Sequence, residues 1–590
     1  MIGTIGKGCR WLAVLLLASL TLVACTSFPT SGPVEQVSVA APGARPRGID
    51  VAAQPPEPGA SPEAILEGFF SASESPGEGY QVARQFLTPE AAASWRPESG
   101  IQVYDATSQS RVVTTDGSAV LRATLVGRVD LDNVFTAAYE PDFTHNFEMT
   151  QVDGQWRIGD PGPGILISLQ RFHRAFAAVP VYYLDASGQR MVSQQVFLRQ
   201  SDIDPDSPDA LVRAVIDGPG GWLRPAVMNV LPTELASLGT WVDINGVAHV
   251  SLSEQIEALS ADQRAQAAAQ LLFTLSYFDT ITGLLIEVNG RPLSIRGADT
   301  VGVVRMSSLA RFAPERPTAP RDMFAVQDGV VIRIGEAPNS VLSTVSGPLG
   351  GGWDETPGRL ASSWAGDQLA VLSEDGERLF VSTNFNVEPV LRHTGTGLVK
   401  PQFDANGNLW TIDNTEEGPV AVRIPPIGEP LLLQLPDLDG ARVVEFRISP
   451  DLTRMAVIVE AEDVQRLGLL RIRDAGEHAL EGWRQLPVHT TRGLITSFRD
   501  VAFVSPERML VLGAGERDTT FAVHSLDVDA ALVTSQGPLN DEDPVLLAAM
   551  PIGTMGAVAV MTAGGVGLRF EAQYRWSPVV RGISDLAYPG

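Results

Sequence analysis

Residues 444–460 read VEFRISPDLTRMAVIVE. An aromatic lies among apolar residues, a polar turn follows at Pro450–Thr453, and an apolar run comes after it. Each half is strand length, and the middle has turn chemistry. The same shape recurs in SSWAGDQLAVLSEDGERLFVS (362–382), KPQFDANGNLWTIDN (400–414), VAFVSPERMLVLGAG (501–515) and LLAAMPIGTMGAVAVMT (546–562). The aromatics Trp364, Phe403, Phe446 and Phe503 are 39, 43 and 57 residues apart. Blades of four strands need about 40–50 residues each, so residues 320–590 read as a β-propeller of five to seven blades. The longest interval is expected to carry a helix-like insertion at AEDVQRLGLL (461–470).

Upstream, SLARFAPERPTAPRD (308–322) is rich in Pro and Arg, and residues 301–319 are expected to form a linker. Residues 179–300 restart a mixed pattern. VPVYYLDASGQRMVSQQVFLRQ (179–200) reads as a hairpin and SPDALVRAVIDGPG (207–220) as a helix. TWVDINGVAHVSLS (240–253) is a second hairpin with Asn245-Gly246 as its two-residue turn. ADQRAQAAAQLLFTLSYFDT (261–280) is an amphipathic helix, and GLLIEVNGRPL (283–293) a final strand. Residues 61–178 open with helical SPEAILEGFFSAS and GYQVARQFLTPEAAASW. Strands are expected at 100–106, 111–115, 119–130, 135–140 and 145–160, giving an α+β cone similar to the NTF2-like fold. The fold class expected is therefore multidomain: NTF2-like α+β, a second α+β unit, and an all-β propeller.

The N-terminus answers a different question. Lys7 and Arg10 precede an apolar stretch from Trp11 to Leu22, too short to span a bilayer comfortably. It ends Leu22-Val23-Ala24-Cys25, which resembles the bacterial lipobox. That resemblance implies a signal peptide over residues 1–24, cleavage between Ala24 and Cys25, and lipidation of Cys25 by S-diacylglycerol and N-acyl groups. Two or more acyl chains hold a protein stably on a membrane where one holds it marginally. Residues 25–60 are dominated by Pro, Gly, Ala and Ser without apolar periodicity, and read as a disordered tether.

The formal charge of -26 speaks against a nucleic-acid-binding surface. The cysteines are Cys9 and Cys25, so a chain cut before Cys25 forms no internal disulfide. Beyond Lys7 the sole lysine is Lys400. No local pattern carries chemistry. His145, His173, His249, His393, His478, His489 and His524 are scattered, with no two within four residues, so no local metal site is expected. His145 and Glu148 of HNFE would face opposite ways on a strand. FDANGNLW (403–410) mimics the start of a calcium loop, but glycine stands at the fourth position and Thr415 at the twelfth, so a turn between strands is expected. GPLGGGWDE (347–355) lacks the Lys-Ser/Thr of a phosphate loop. No G-x-S-x-G elbow is present, and no cofactor is expected. Carboxylate pairs converging in the propeller channel stay open, since glycosidases use such pairs.

Two resemblances follow from these pieces. Asp217-Gly218-Pro219, Leu231-Pro232, Ala248/Val250/Leu252-Ser253 and Val288-Asn289-Gly290 are similar in order and spacing to the GerMN domain pattern, departing from it at Ser251. The order of lipobox, tether, NTF2-like unit, GerMN-like unit and propeller ending ISDLAYPG resembles the actinobacterial LpqB lipoprotein family over essentially the whole chain. The resemblance implies a non-enzymatic lipoprotein on the outer face of the cell membrane. It implies an accessory role beside the Mtr two-component system through the extracytoplasmic domain of its sensor histidine kinase, in envelope homeostasis and division. The alternatives are a hydrolase acting on envelope glycan or lipid, and a small-lipid carrier.

Overall fold

The computed structural model describes residues 54–590, apart from 75–78, 107–110, 116–117, 315–316, 338–341, 437, 439, 475–477 and 539–541. Residues 51–590 pack as one compact unit. Its first part is α+β. Helix Pro62–Glu74 turns Ile65, Leu66, Phe69 and Phe70 inward, the apolar face expected from their helical spacing. The segment expected as a single second helix is two short ones, Gln81–Arg84 and Pro89–Ser94. Pro89 lacks the amide that would continue a helix, and Thr88 caps the new turn by accepting from the Ala91 amide. Between them, Phe86 and Thr88 bond the backbone of Ile158 instead.

The sheet runs Gln155–Asp160, Phe135–Val152, Ser118–Val129, Ile101–Asp105, Ile165–Ser168, with Arg111–Thr115 beside Ser118–Val129. Residues 135–152, expected as two strands, form one of eighteen residues. Its partner is interrupted by register shifts at Ala123/Leu125 and Leu125/Gly127. Bulges of this kind bend a strand without ending it. Aromatic rings pack together in the core of this part: Phe70 meets Phe147 edge-on at 5.6 Å, and Phe172 lies 5.8 Å from Phe135 and 5.2 Å from Phe197. A Cβ on Gly127 would fall 2.0 Å from the Phe135 ring, so this close approach admits only glycine.

The second α+β part pairs Phe176–Asp185 with Met191–Arg199, and Val247–Leu252 with Ser237–Val242 on one side and Gly283–Val288 on the other. Helix Ala261–Leu275 begins at a capping box made by Ser260 and Gln263. The hairpin turn at Asn245-Gly246 is longer than expected. Asp243 and Val247 close a three-residue loop, and the Asp243 carboxylate accepts from the amides of Asn245 at 2.8 Å and Val247 at 2.9 Å. Only Gly246 takes a positive φ (74°), whereas a two-residue type I′ turn needs it twice. Residues 301–312 are not linker. Val304–Arg305 pairs with Gly283–Leu284, and Leu309 and Phe312 are buried in this part's core. Three residues apart on a tight helical turn, Leu309 and Phe312 face one way and bring the segment down onto the core.

From Met323 onward the chain forms a six-bladed propeller, within the range expected. In chain order the innermost strands of blades 2 to 6 are Pro357–Ser362, Gln402–Phe403, Arg442–Ile448, Gly493–Ser505 and Pro544–Ala549. Blade 1 takes its inner strand, Ile583–Ala587, from the far end of the chain, pairing it with Met323–Gln327. This joins the two ends of the propeller sequence in one sheet and closes the ring. Phe403, Phe446 and Phe503 are buried on inner strands, which accounts for the repeat. The helix expected at 461–470 is absent. Arg454–Ala461 and Val464–Arg473 are paired strands joined by Glu462-Asp463, both with positive φ (50° and 63°) as a type I′ turn requires. The long interval comes instead from extended strands and an extra pairing of His489–Thr490 with Gly493–Leu494.

The α+β parts dock on blades 4 and 5. Trp222 donates its Nε1–H to the Gly482 carbonyl at 2.7 Å, with the guanidinium groups of Arg484 and Arg471 at 4.8 and 5.8 Å from its ring. Arg454, buried, donates to the Ser193 carbonyl at 2.8 Å and to Asp451. Ala531, in the turn after Ala522–Asp527, is buried among the aromatic residues of the first part, and its carbonyl lies 2.8 Å from His173 Nε2.

Candidate functional site: a charged propeller axis beneath an open funnel

Each inner strand contributes to a buried cluster on the propeller axis. Lys400, just before the blade 3 strand, donates Nζ–H to both oxygens of Asp585 in blade 1, at 2.9 and 3.1 Å, and to the Leu586 carbonyl at 2.8 Å. Asp585 also accepts the Leu360 amide of blade 2 at 2.7 Å. In blade 4, Arg447 bonds Glu445 and reaches Asp500 of blade 5 at 3.1 Å. Asp500 in turn accepts the Leu547 amide of blade 6 at 2.8 Å. The pattern repeats: an aspartate on one inner strand accepts an amide from the next, while a neighbouring cation neutralises it.

These charges survive burial only because they are paired. Burial pushes the Lys400 ammonium down, with Asp585 working against it. Burial likewise raises the Glu445 carboxyl, against the pull of Arg447. Burial disfavours the Arg447 charge as well, but Glu445 and Asp500 outweigh it and its pKa rises. Asp585 and Asp500 each accept on both carboxylate oxygens, whereas Glu445 accepts the Phe446 amide and Arg447 on Oε1.

One mouth of the axis is narrow, about 40 Å³ of space lined by Trp364, Phe503 and Tyr588 among others. The other opens into a funnel of about 840 Å³ walled by blades 1 to 4. Its floor is formed by Lys400, Glu445 and Arg359, and its wall includes Gly329, Gly358, Gly376, Gly397 and Gly582. Arg359 differs from the other axis cations. Its side chain is 51% exposed, and its ion pair is a 3.6 Å approach to Asp585, whose oxygens already accept from Lys400 and Leu360.

The residues singled out from sequence do not converge here. Ala24 and Cys25 lie outside the described residues. His249 stacks on Trp241 at 3.8 Å between Asp243 and Glu287, and His478 pairs with Asp474, in separate parts of the fold. Among the described residues no three His, Cys, Asp or Glu are grouped to hold a metal ion. The calcium-like FDANGNLW is a turn. Asp404 accepts from the amides of Asn406 and Asn408, from Asn408 Nδ2 and from Trp410 Nε1, all at 2.8–2.9 Å. GPLGGGWDE is a tight turn leading to Trp353, which packs edge-on against Phe380 at 5.1 Å. The axis residues were missed by motif, though one signal was present. Glu445 and Arg447 flank Phe446 within a strand, and Lys400 is the lone lysine past the leader; charges amid apolar strands need buried partners.

Among the described residues, no helix is long and apolar enough to cross a membrane. Three family profiles match the chain: "Lipoprotein LpqB, N-terminal domain" over residues 55–173, "Sporulation and spore germination" over 180–294, and "Lipoprotein LpqB beta-propeller domain" over 334–589. Lipoprotein LpqB of Cutibacterium acnes is 29% identical, covering 98% of both chains. Lipoprotein LpqB of Streptomyces coelicolor is 27% identical, covering 96% of both. Among solved structures, TolB from Acinetobacter baumannii is 12% identical over 45% of this chain and 65% of its own, at a TM-score of 0.34. With both LpqB-specific profiles matched in order and relatives aligned nearly end to end, the chain belongs to the LpqB lipoprotein family.

Proposed function

We propose that this protein is a binding protein rather than an enzyme, anchored through a lipidated Cys25 to the outer face of the cell membrane. Its partner on this reading is the extracytoplasmic domain of a membrane sensor histidine kinase, the partner that the family resemblance implies. The observation that carries the reading is the state of the axis. Lys400, Asp585, Arg447 and Asp500 are engaged with one another and with backbone amides, and Glu445 is tied to Arg447 through Oε1, so the funnel stands above a preorganised, mutually paired set of charges. Anchoring to the membrane would raise the protein's effective concentration near a membrane-bound partner. To regulate rather than merely adhere, it must bind one signalling state of the kinase better than the other.

Calorimetric titration of the soluble chain, begun after Cys25, into the purified kinase domain tests the reading. Saturable binding is expected. Its absence up to high micromolar concentration, both free in solution and with both proteins in one bilayer, would overturn it. So would unchanged kinase output in cells lacking the protein.

A further inference from the structure

The funnel floor holds an unusual group. A guanidinium presents five donors in a planar fork that matches a carboxylate. In the buried axis such donors are used: Arg447 spends its fork on Glu445, the Phe446 carbonyl and Asp500. Arg359 stands at the edge of that network and touches it through Asp585 alone. The carboxylate facing it, Asp585, lies 3.6 Å away and is already occupied by Lys400 and the Leu360 amide. The result is a positive fork, half exposed, at the bottom of a cavity of about 840 Å³. That volume suits a ligand of several residues' size. Low-dielectric walls strengthen a charge-assisted bond made at such a depth.

The rest of the lining narrows the ligand. Asp328 and Glu374 stand on the wall away from the axis, while the other wall charges have partners, Asp375 with Arg378 and Arg442 with Glu460. Glycines 329 and 376 have open space where a side chain would be, exposing backbone at the mouth. Thus the floor offers a carboxylate site, the wall offers peptide-bonding groups, and the wall carboxylates suit an ammonium. A multiply anionic ligand would meet the wall acids, and a neutral sugar would leave Arg359 unused.

We propose that the funnel binds a short peptide end-on, its free carboxylate on Arg359 and its amino group toward Asp328 and Glu374. This deepens the binding-protein reading and rests on it. The same chemistry has two sources, a free peptide of L-amino acids and a short peptide ending in D-amino acids, as cell-wall stem peptides do.

The test uses the full chain, purified in detergent, and calorimetry with four probes. These are L-Ala-L-Ala-L-Ala, L-Ala-D-Ala-D-Ala, the C-terminal amide of each, and the same set with Arg359→Gln and Arg359→Lys variants. At least one free acid is expected to bind about ten-fold more tightly than its amide. Arg359→Gln should abolish that difference, and Arg359→Lys should keep part of it. Thermal unfolding should be unchanged in both variants, since Arg359 is half exposed and at the edge of the buried network. Preference between the L and D acids names the source. Equal affinity for acid and amide, the same acid preference in Arg359→Gln, or no binding of any probe to folded protein would each overturn the proposal. Titration of the kinase domain into the same preparation separates the two claims. Kinase binding without peptide binding sinks the funnel proposal alone, and loss of both sinks both.

Discussion

Lys400 and Asp585 are 185 residues apart in the chain, yet the ammonium of one donates to both carboxylate oxygens of the other. The pair joins blade 3 to the strand that closes the ring, with Asp585 fully buried. Replacing Lys400 with Met leaves that carboxylate without its main counter-charge. Breaking one side of a buried pair costs about 3–5 kcal/mol, while replacing both sides with apolar residues is often close to neutral. Urea unfolding is therefore expected to show strong destabilisation in Lys400→Met and substantial recovery in Lys400→Met/Asp585→Leu. Equal destabilisation in both would mean that the pair is not the source of the loss.

Asp529 is buried where the propeller meets the first α+β part, and burial, then Asp527, pushes its carboxyl up to about 7. Because the folded state holds this proton more tightly than the unfolded chain, stability is lost as pH rises toward and through that value. The slope is at most about 1.4 kcal/mol per pH unit. Burial pushes His489 down to about 4 and lowers His145, His393 and His524, so these act oppositely below their ordinary range. The clean window is pH 6.5 to 8. There the protein should lose stability relative to Asp529→Asn, whose amide oxygen can still accept from Ala531. Parallel stability curves across that window would contradict the assignment.

Trp222 is held by a hydrogen bond to Gly482 and by two guanidinium groups from blade 4. Trp222→Ala removes both and leaves a void at the joint. A cost of about 2 kcal/mol is expected, at the low end for an aromatic because the ring is half-buried. Hydrogen exchange should rise at residues 479–485 and stay unchanged in blades 1 and 2.

Asp404→Ala strips the acceptor from four donors, among them the buried Trp410 indole. An unsatisfied buried donor costs about 1–3 kcal/mol. The melting temperature should fall accordingly, and EDTA should leave it unmoved in the unaltered protein. A fall on chelation would restore the calcium-loop reading of FDANGNLW.

Cys25→Ser removes the thiol that lipidation requires. The protein is expected to move from the membrane pellet to the soluble fraction, or to be retained as an uncleaved precursor of higher mass. A variant still in the pellet at mature mass would refute the anchor.

Much of the fold was written in short-range pattern. The recurring aromatic–turn–apolar unit marked the inner strands of the propeller, and the helix spacing of Ile65, Leu66, Phe69 and Phe70 marked a buried face. Where local reading failed, a non-local partner decided. Residues 461–470 look helical alone, but Val464–Arg473 has a strand on either side to bond it. Residues 301–312 look like linker by composition, but Leu309 and Phe312 find a core already built by other elements.

The strand repeat, the order of the domains, the lipobox and the turn at Asp404 are legible in the sequence alone, because each depends on steric and hydrogen-bonding preferences within a few residues. Only the tertiary structure decided the blade number, the ring closure by Ile583–Ala587, the charged axis and the exposure of Arg359 at the funnel floor. Charges separated by a whole blade or more carry no local signature of one another. They become partners only when burial against adjacent blades brings their strands to a common axis, where low dielectric makes pairing obligatory.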